Sequence, residues 1–176
     1  MTGSLRARST NTASLRTLLS QFRAGISGAL YEGLAFLPPF DPDQDDDRLP
    51  AAVADLRTQI RAADALVIST PEYAGALPGS FKNLLDWTIG DSQKGSIYGK
   101  PVAWLNVSAR GASGAHAELR TVLGYAHATI IEPASISVPV TASMIGGDGL
   151  ICDPGVLEQL ADMADQLGGE LTQLGV

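Results

Sequence analysis

Ala65-Leu66-Val67-Ile68-Ser69-Thr70-Pro71-Glu72-Tyr73-Ala74-Gly75-Ala76-Leu77-Pro78-Gly79 is the stretch on which the fold turns. Its first half is a short apolar run stopped by proline. Such a run fits a strand buried on both faces, as in a parallel sheet covered by helices. Its second half, with two prolines and two glycines, is a shaped strand-to-helix loop. A helix is expected over residues 78–89, with Pro78 tolerated in its first turn. Further out, residues 101–107 read as a second buried strand and 113–126 as a helix. Residues 129–138 read as a strand broken by Pro133, and 154–173 as a closing helix. Towards the start, Leu15, Leu18, Leu19 and Phe22 recur three or four apart, which predicts a helix over 11–26. Residues 29–36 are expected to be a strand, 38–47 an exposed loop, and 50–62 a helix through Val53, Leu56 and Ile60. Strands alternating with helices imply βαβ units and a parallel, doubly wound α/β sheet.

The chain has 176 residues, a length that predicts a single domain over 1–176. Its net charge of −7 lacks the basic stripe that nucleic acid or an anionic membrane surface requires, so neither is expected as a partner. One cysteine, Cys152, excludes an intrachain disulfide and a multi-Cys metal site. No run is long enough to span a bilayer and no basic-then-apolar leader opens the chain, so a cytoplasmic protein is expected.

In an open parallel sheet, ligands bind beyond the carboxyl ends of the strands. Three loops there carry unusual chemistry. Gly3-Ser4-Leu5-Arg6-Ala7-Arg8-Ser9-Thr10-Asn11 precedes the first helix and joins hydroxyls, an amide and two arginines to a helix N-terminus, a natural anion site. A capped helix behind a solvated loop explains the same composition. It matches neither GxGxxG nor GxxxxGK[ST]. In the second loop, Tyr73 could pack on a flat ring, or could cover the core of an ordinary connection. The third, Asn106-Val107-Ser108-Ala109-Arg110-Gly111-Ala112-Ser113-Gly114, has small residues that let backbone approach a planar ligand, or simply make a turn.

Together the loops resemble the NADPH-dependent FMN reductase family of the flavodoxin-like superfamily. That family shows G-S-L-R-x-x-S-x-N, matched here by Gly3-Ser4-Leu5-Arg6, Ser9 and Asn11. It also shows P-E-Y-N-x-x-x-P-G-x-L-K-N-x-x-D-W, matched by Pro71-Glu72-Tyr73, Pro78-Gly79, Lys82-Asn83 and Asp86-Trp87. The similarity runs from Gly3 to about Val140. It implies a three-layer αβα sandwich with strand order 2-1-3-4-5. By the resemblance, Ser4, Arg6, Ser9 and Asn11 hold the FMN phosphate. Pro71, Glu72 and Tyr73 line the isoalloxazine, with Ala74 and Gly75 beside it. Ser108, Arg110, Gly111 and Gly114 close its other side. The implied activity passes electrons from NADPH or NADH through FMN to a small acceptor such as a flavin, quinone, azo compound or metal ion. No side-chain nucleophile is required, because the cofactor carries the chemistry. Members are homodimers or homotetramers, with the helix carrying Lys82 to Trp87 near the subunit contact.

Three departures stand out. Ala74 replaces the family's asparagine. Arg110 and Ser113 stand where glycines are usual, and Arg110 either crowds the ring or grips a phosphate of the nicotinamide donor. Only Met1 and Thr2 precede Gly3, where the family has an apolar strand. That first strand is therefore expected to be missing or truncated, and the natural protein to be longer. A flavin-binding electron carrier and an inactive remnant are the competing readings. Gly90-Asp91-Ser92 looks like the start of a hydrolase signature but lacks the flanking strand. Asp45-Asp46-Asp47 reads as a solvated surface rather than a cation site. Cys152 reads as an inert residue, and Trp87 and Trp104 as packing residues.

Overall fold

The computed structural model describes residues 1–45 and 49–175. The helices are α1 (Thr10–Gln21), α2 (Ala51–Ala62), α3 (Gly79–Ile89), α4 (Ser113–Tyr125) and α5 (Pro154–Leu174). The strands are β1 (Leu66–Ile68), β2 (Pro101–Asn106), β3 (Thr129–Ile130) and β4 (Ile136–Ser137). Helix starts follow local chemistry. Ser9 caps α1 by accepting from the Thr12 N–H, and Asp153 caps α5 by accepting from the Val156 N–H, with Pro154 in the first turn. Gly175, in the left-handed region, ends α5.

All strand pairs are parallel. β1 pairs with β2 from Leu66 opposite Val102 to Ile68 opposite Trp104. On its other edge β2 meets β3 at Pro101 and Val102, then β4 at Leu105 and Asn106. β3 and β4 are thus two pieces of one strand path, parted by the 3₁₀ turn Glu132–Ala134. This is the break expected at Pro133, which has no N–H to give to a ladder.

Residues along β2 alternate between two cores. Val102 and Trp104 face α2, α3 and α4 beside Val53, Leu56, Phe81, Leu84 and Leu119. Ala103, Leu105 and Val107 face α1 and α5 beside Leu18, Val156, Leu160 and Met163. A strand buried on both faces must read as an unbroken apolar run, and Val102 to Leu105 does. The result is the expected α/β sandwich of three layers. Trp87 is fully buried, and Arg120 lies 4.8 Å from the ring centre of Trp104, so both tryptophans pack rather than face a ligand.

Residues 1–3 lie along the free edge of β1. The Ser69 N–H donates to the Met1 carbonyl at 3.0 Å and the Gly3 N–H to the Ser69 carbonyl at 2.8 Å. Thr2 bridges Ser69 in parallel. The observed order is residues 1–3, β1, β2, then β3 and β4. The strand expected over 29–36 does not form. That stretch is irregular and ends in a 3₁₀ turn, Gly33–Phe36. The reason is pairing: a strand there needs a neighbour at the sheet edge, and among the described residues none lies against it. Instead it helps wall a cavity of about 660 Å³ with Met1, Leu18, Phe22, Ile60 and Leu167.

The 38–45 segment is anchored rather than free. The Pro38 carbonyl accepts from Asn83 Nδ2 and Trp87 Nε1, both at 2.8 Å, and Phe40 meets Trp87 edge-on at 4.9 Å. Asp45 pairs with the buried Arg57 at 2.7 Å, while Asp46 and Asp47 lie outside the described residues. Asp91 pairs with Arg61 and accepts from the Gln93 N–H, a structural use of the Gly90-Asp91-Ser92 sequence. Cys152 is exposed, its thiol on the Met144 carbonyl.

Candidate functional site

The three loops singled out by sequence meet. A cleft of about 480 Å³ at the carboxyl ends of β1 and β2 is lined by Thr10 and Asn11, by Pro71, Glu72 and Ala74, and by Ser108, Ala109 and Arg110, with Val107, Ala112 and Val140. The larger cavity near Met1 is mostly apolar-lined and sits away from these loops. The smaller cleft is therefore the candidate site, because it lies where parallel sheets bind ligands and gathers the polar groups.

The first loop wraps onto the start of α1. Thr2 Oγ1 accepts from the Ser4 N–H at 3.2 Å and from the Thr12 hydroxyl at 3.1 Å, and Ser4 Oγ accepts from the Arg6 N–H at 3.3 Å. Ser4 and Ser9 are buried, while Arg6 and Arg8 are exposed at the mouth of the helix. Gly3 is required by space: a β-carbon there would lie 2.2 Å from Thr70 Oγ1 and 2.7 Å from Thr70 Cβ. Asn11 lines the cleft, but its amide is engaged: the buried Ser69 hydroxyl lies 2.9 Å from Asn11 Oδ1 and 2.6 Å from the Leu105 carbonyl. This junction ties the first turn of α1 to the ends of β1 and β2.

The second loop is a tight reversal. Tyr73 and Ala76 exchange both backbone hydrogen bonds, at 3.0 and 3.1 Å, around Ala74 and Gly75. Both central residues have positive φ, 52° and 78°, the requirement of a type I′ turn. Two carboxylates dock this loop on α4. Glu72 Oε2 accepts from the Ala115 N–H at 3.0 Å, and Glu118 Oε2 accepts from the Leu77 N–H at 2.7 Å. Glu72 thereby supplies α4 with the N-terminal cap that Ala112 cannot. Gly114 closes the joint, since a β-carbon there would sit 2.1 Å from the Gly75 carbonyl oxygen. Its smallness serves backbone against backbone. Tyr73 is 49% exposed, so it does not cover the core, and it stands outside the cleft lining.

The third loop is a turn held by Asn106. The Gly111 N–H reaches the Ser108 carbonyl at 3.1 Å, with Gly111 at φ 87°. Asn106 Oδ1 accepts from the Ser108 N–H at 3.1 Å and Nδ2 donates to the Gly111 carbonyl at 2.6 Å. Below it, His116 Nδ1 meets the Ala112 carbonyl at 3.0 Å while the buried Nε2 has no partner. Burial pushes the His116 pKa below its ordinary value; the backbone bond and Glu72 oppose that only in part.

Of the residues expected at the site, Asn11, Pro71, Glu72, Ala74, Ser108 and Arg110 line the cleft. Ser4, Arg6 and Ser9 build the adjoining loop, and Tyr73, Gly75, Gly111 and Gly114 shape its walls. Sequence reasoning quoted Ser69 and Asn106 within its strand and loop but gave neither a role, and it missed Glu118. The first two carried a signal, being polar residues at the ends of apolar strands. Glu118 carried none, since one glutamate on a helix looks like any other. Among the described residues, no group of three or more His, Cys, Asp or Glu is placed to hold a metal.

Known proteins share this layout. Residues 1–142 match the family model described as NADPH-dependent FMN reductase. The chain is 33% identical over 177 residues to a quinone reductase of Escherichia coli, covering 98% of this chain and 90% of that protein. It is 31% identical over 155 residues to an NAD(P)H-dependent FMN reductase of Pseudomonas aeruginosa, covering 87% and 83%. Among solved structures, the flavoenzyme NAD(P)H:(acceptor) oxidoreductase FerB of Paracoccus denitrificans superposes with a TM-score of 0.83 at 27% identity, covering 98% of this chain and 95% of that one. With a parallel αβα sandwich and three loops converging at the ends of its strands, this chain belongs to the NADPH-dependent FMN reductase family of oxidoreductases.

Proposed function

We propose that the chain works as one domain that binds FMN in the cleft and passes electrons from NADPH or NADH to a small acceptor of the quinone class. One observation carries the reading: the loops after residues 1–3, β1 and β2 line a single cleft at the carboxyl ends of the strands. The donor set fits the cofactor. A phosphate monoester needs N–H and O–H donors with positive charge, and the N-terminus of α1 with Ser4, Ser9 and Arg6 offers them. A flat ring needs backbone free of side chains, and a β-carbon at Gly75 or Gly111 would meet nothing within 4 Å. FMN, when bound, supplies the acceptance and release of hydride.

The protein's part is placement. α1 and its loop hold the phosphate, and Asn11 ties that helix to the strand ends through Ser69. The type I′ turn presents the edge of the Pro71 to Gly75 loop, and Glu72 and Glu118 keep it docked on α4. Ser108 and Arg110 line the same cleft, on the loop that leads into α4 and Gly114. The quinone class is preferred because the relatives at 33% identity carry that name. A homodimer or homotetramer is part of the same reading.

The test is reconstitution. FMN should bind with quenched flavin fluorescence, and the yellow protein should consume NADPH or NADH with benzoquinone as acceptor. Bound FMN with no donor oxidation would leave the carrier reading in its place. Sedimentation velocity reads the oligomeric state in the same sample.

A further inference from the structure

Arg110 is an exposed guanidinium on a rigid mount. Its backbone N–H donates to Ser108 Oγ at 3.2 Å, inside the turn that Asn106 grips at both ends. Asn106 is buried, so the base of Arg110 is fixed at the cleft rim while the side chain reaches solvent. Among the described residues Arg110, like Arg6 and Arg8 on the first loop, pairs with no carboxylate, whereas Arg16, Arg23, Arg57, Arg61 and Arg120 each do. The carboxylate that shares the cleft lining with it, Glu72, is engaged on the Ala115 N–H. The chain as a whole carries −7, which repels a polyanionic donor. A free planar fork at the mouth of the cleft offsets that repulsion locally and suits phosphate oxygens.

We propose that Arg110 is the specificity-determining residue for the nicotinamide donor, pairing with the phosphate monoester that distinguishes NADPH from NADH. This rests on the donor role read above. A monoester carries roughly −1.5 to −2 charge near neutrality, more than either phosphate of the pyrophosphate link, so it gains most from a single guanidinium. Arg110 stands on the third loop, whereas the FMN phosphate is read at the first loop and the start of α1, where Ser4, Ser9 and Arg6 supply the donors. That leaves the Arg110 guanidinium for the nicotinamide donor.

The experiment compares the FMN-loaded wild type with Arg110→Gln and Arg110→Lys. Calorimetric titration with NADP⁺ and NAD⁺ reads binding without turnover. The wild type is expected to bind NADP⁺ about tenfold more tightly than NAD⁺, the scale of one charge-assisted pair at an exposed rim. Arg110→Gln should abolish that preference and leave NAD⁺ within twofold, and Arg110→Lys should retain part of it. KM for NADPH should rise in parallel, and KM for NADH should not. An unchanged NADP⁺ to NAD⁺ ratio in Arg110→Gln overturns the proposal, as does equal weakening of both. Loss of FMN affinity in Arg110→Gln also overturns it, because the side chain would then serve the flavin. Should the wild type bind NADP⁺ preferentially yet oxidise neither donor, the catalytic reading fails while Arg110 keeps its role.

Discussion

At Gly114 a single methyl group would collide with a carbonyl. The contact is backbone on backbone, so no flexible side chain can yield. Gly114→Ala should part the Tyr73 turn from α4 and weaken FMN binding by at least tenfold, measured by fluorescence titration. Its neighbour across the joint invites the opposite change. Ala74 holds φ 52° with a β-carbon, a conformation costing roughly 1 kcal/mol that glycine avoids. Ala74→Gly should therefore leave urea stability equal or raised, with the gain limited by glycine's larger unfolded-state entropy. The left-handed position also gives a physical sense to the departure seen in sequence, because asparagine tolerates that region better than alanine. The sequence singles out Gly114 and Ala74 as positions of the flavin loops; it does not disclose that the close partner of Gly114 is Gly75, distant in the chain.

Helices and strands were legible wherever one pattern met one environment. α2, α3 and α5 bury faces their periodicity marks, and β2 is an apolar run between two helical layers. What no pattern marks is the polar tie between α2 and α3. Arg57, buried on α2, gives Nε and Nη2 to the Trp87 carbonyl near the end of α3, at 2.9 and 2.7 Å, and pairs with Asp45. That carbonyl belongs to the last turn of a helix and needs an outside donor. Arg57→Ala removes the donor and strands Asp45, a loss of about 3 kcal/mol by the scale of broken buried pairs. For a domain of this length Tm should fall by roughly 6–12 °C, read by calorimetry. The stretch 29–36 failed as a strand for the complementary reason: a strand is made by its neighbour, and its own residues could not announce that none would be there.

Across the whole molecule, burial of one histidine sets a pH slope. Desolvation holds the His116 pKa below its ordinary value of 6.5, so the ring is less protonated folded than unfolded. A depressed base contributes stability that is intact above about 6.5 and is lost as pH falls below it. Urea midpoints measured from about pH 8.5 to 5.5 should therefore hold level and then fall below about 6.5. His116→Gln should flatten that fall; an unchanged slope would place its origin elsewhere.

By itself the sequence determined the α/β class, the family, the three loops and most of the residues that meet in the cleft. It could do so because apolar runs, helical spacing and short motifs are local properties, written in consecutive residues. Only the tertiary structure decided which partners those residues take. The Glu118 clamp on Leu77, the Asn11 junction with Ser69 and the bare edge beside residues 29–36 all depend on groups far apart in the chain being brought together, or left apart, by the packing of the three layers.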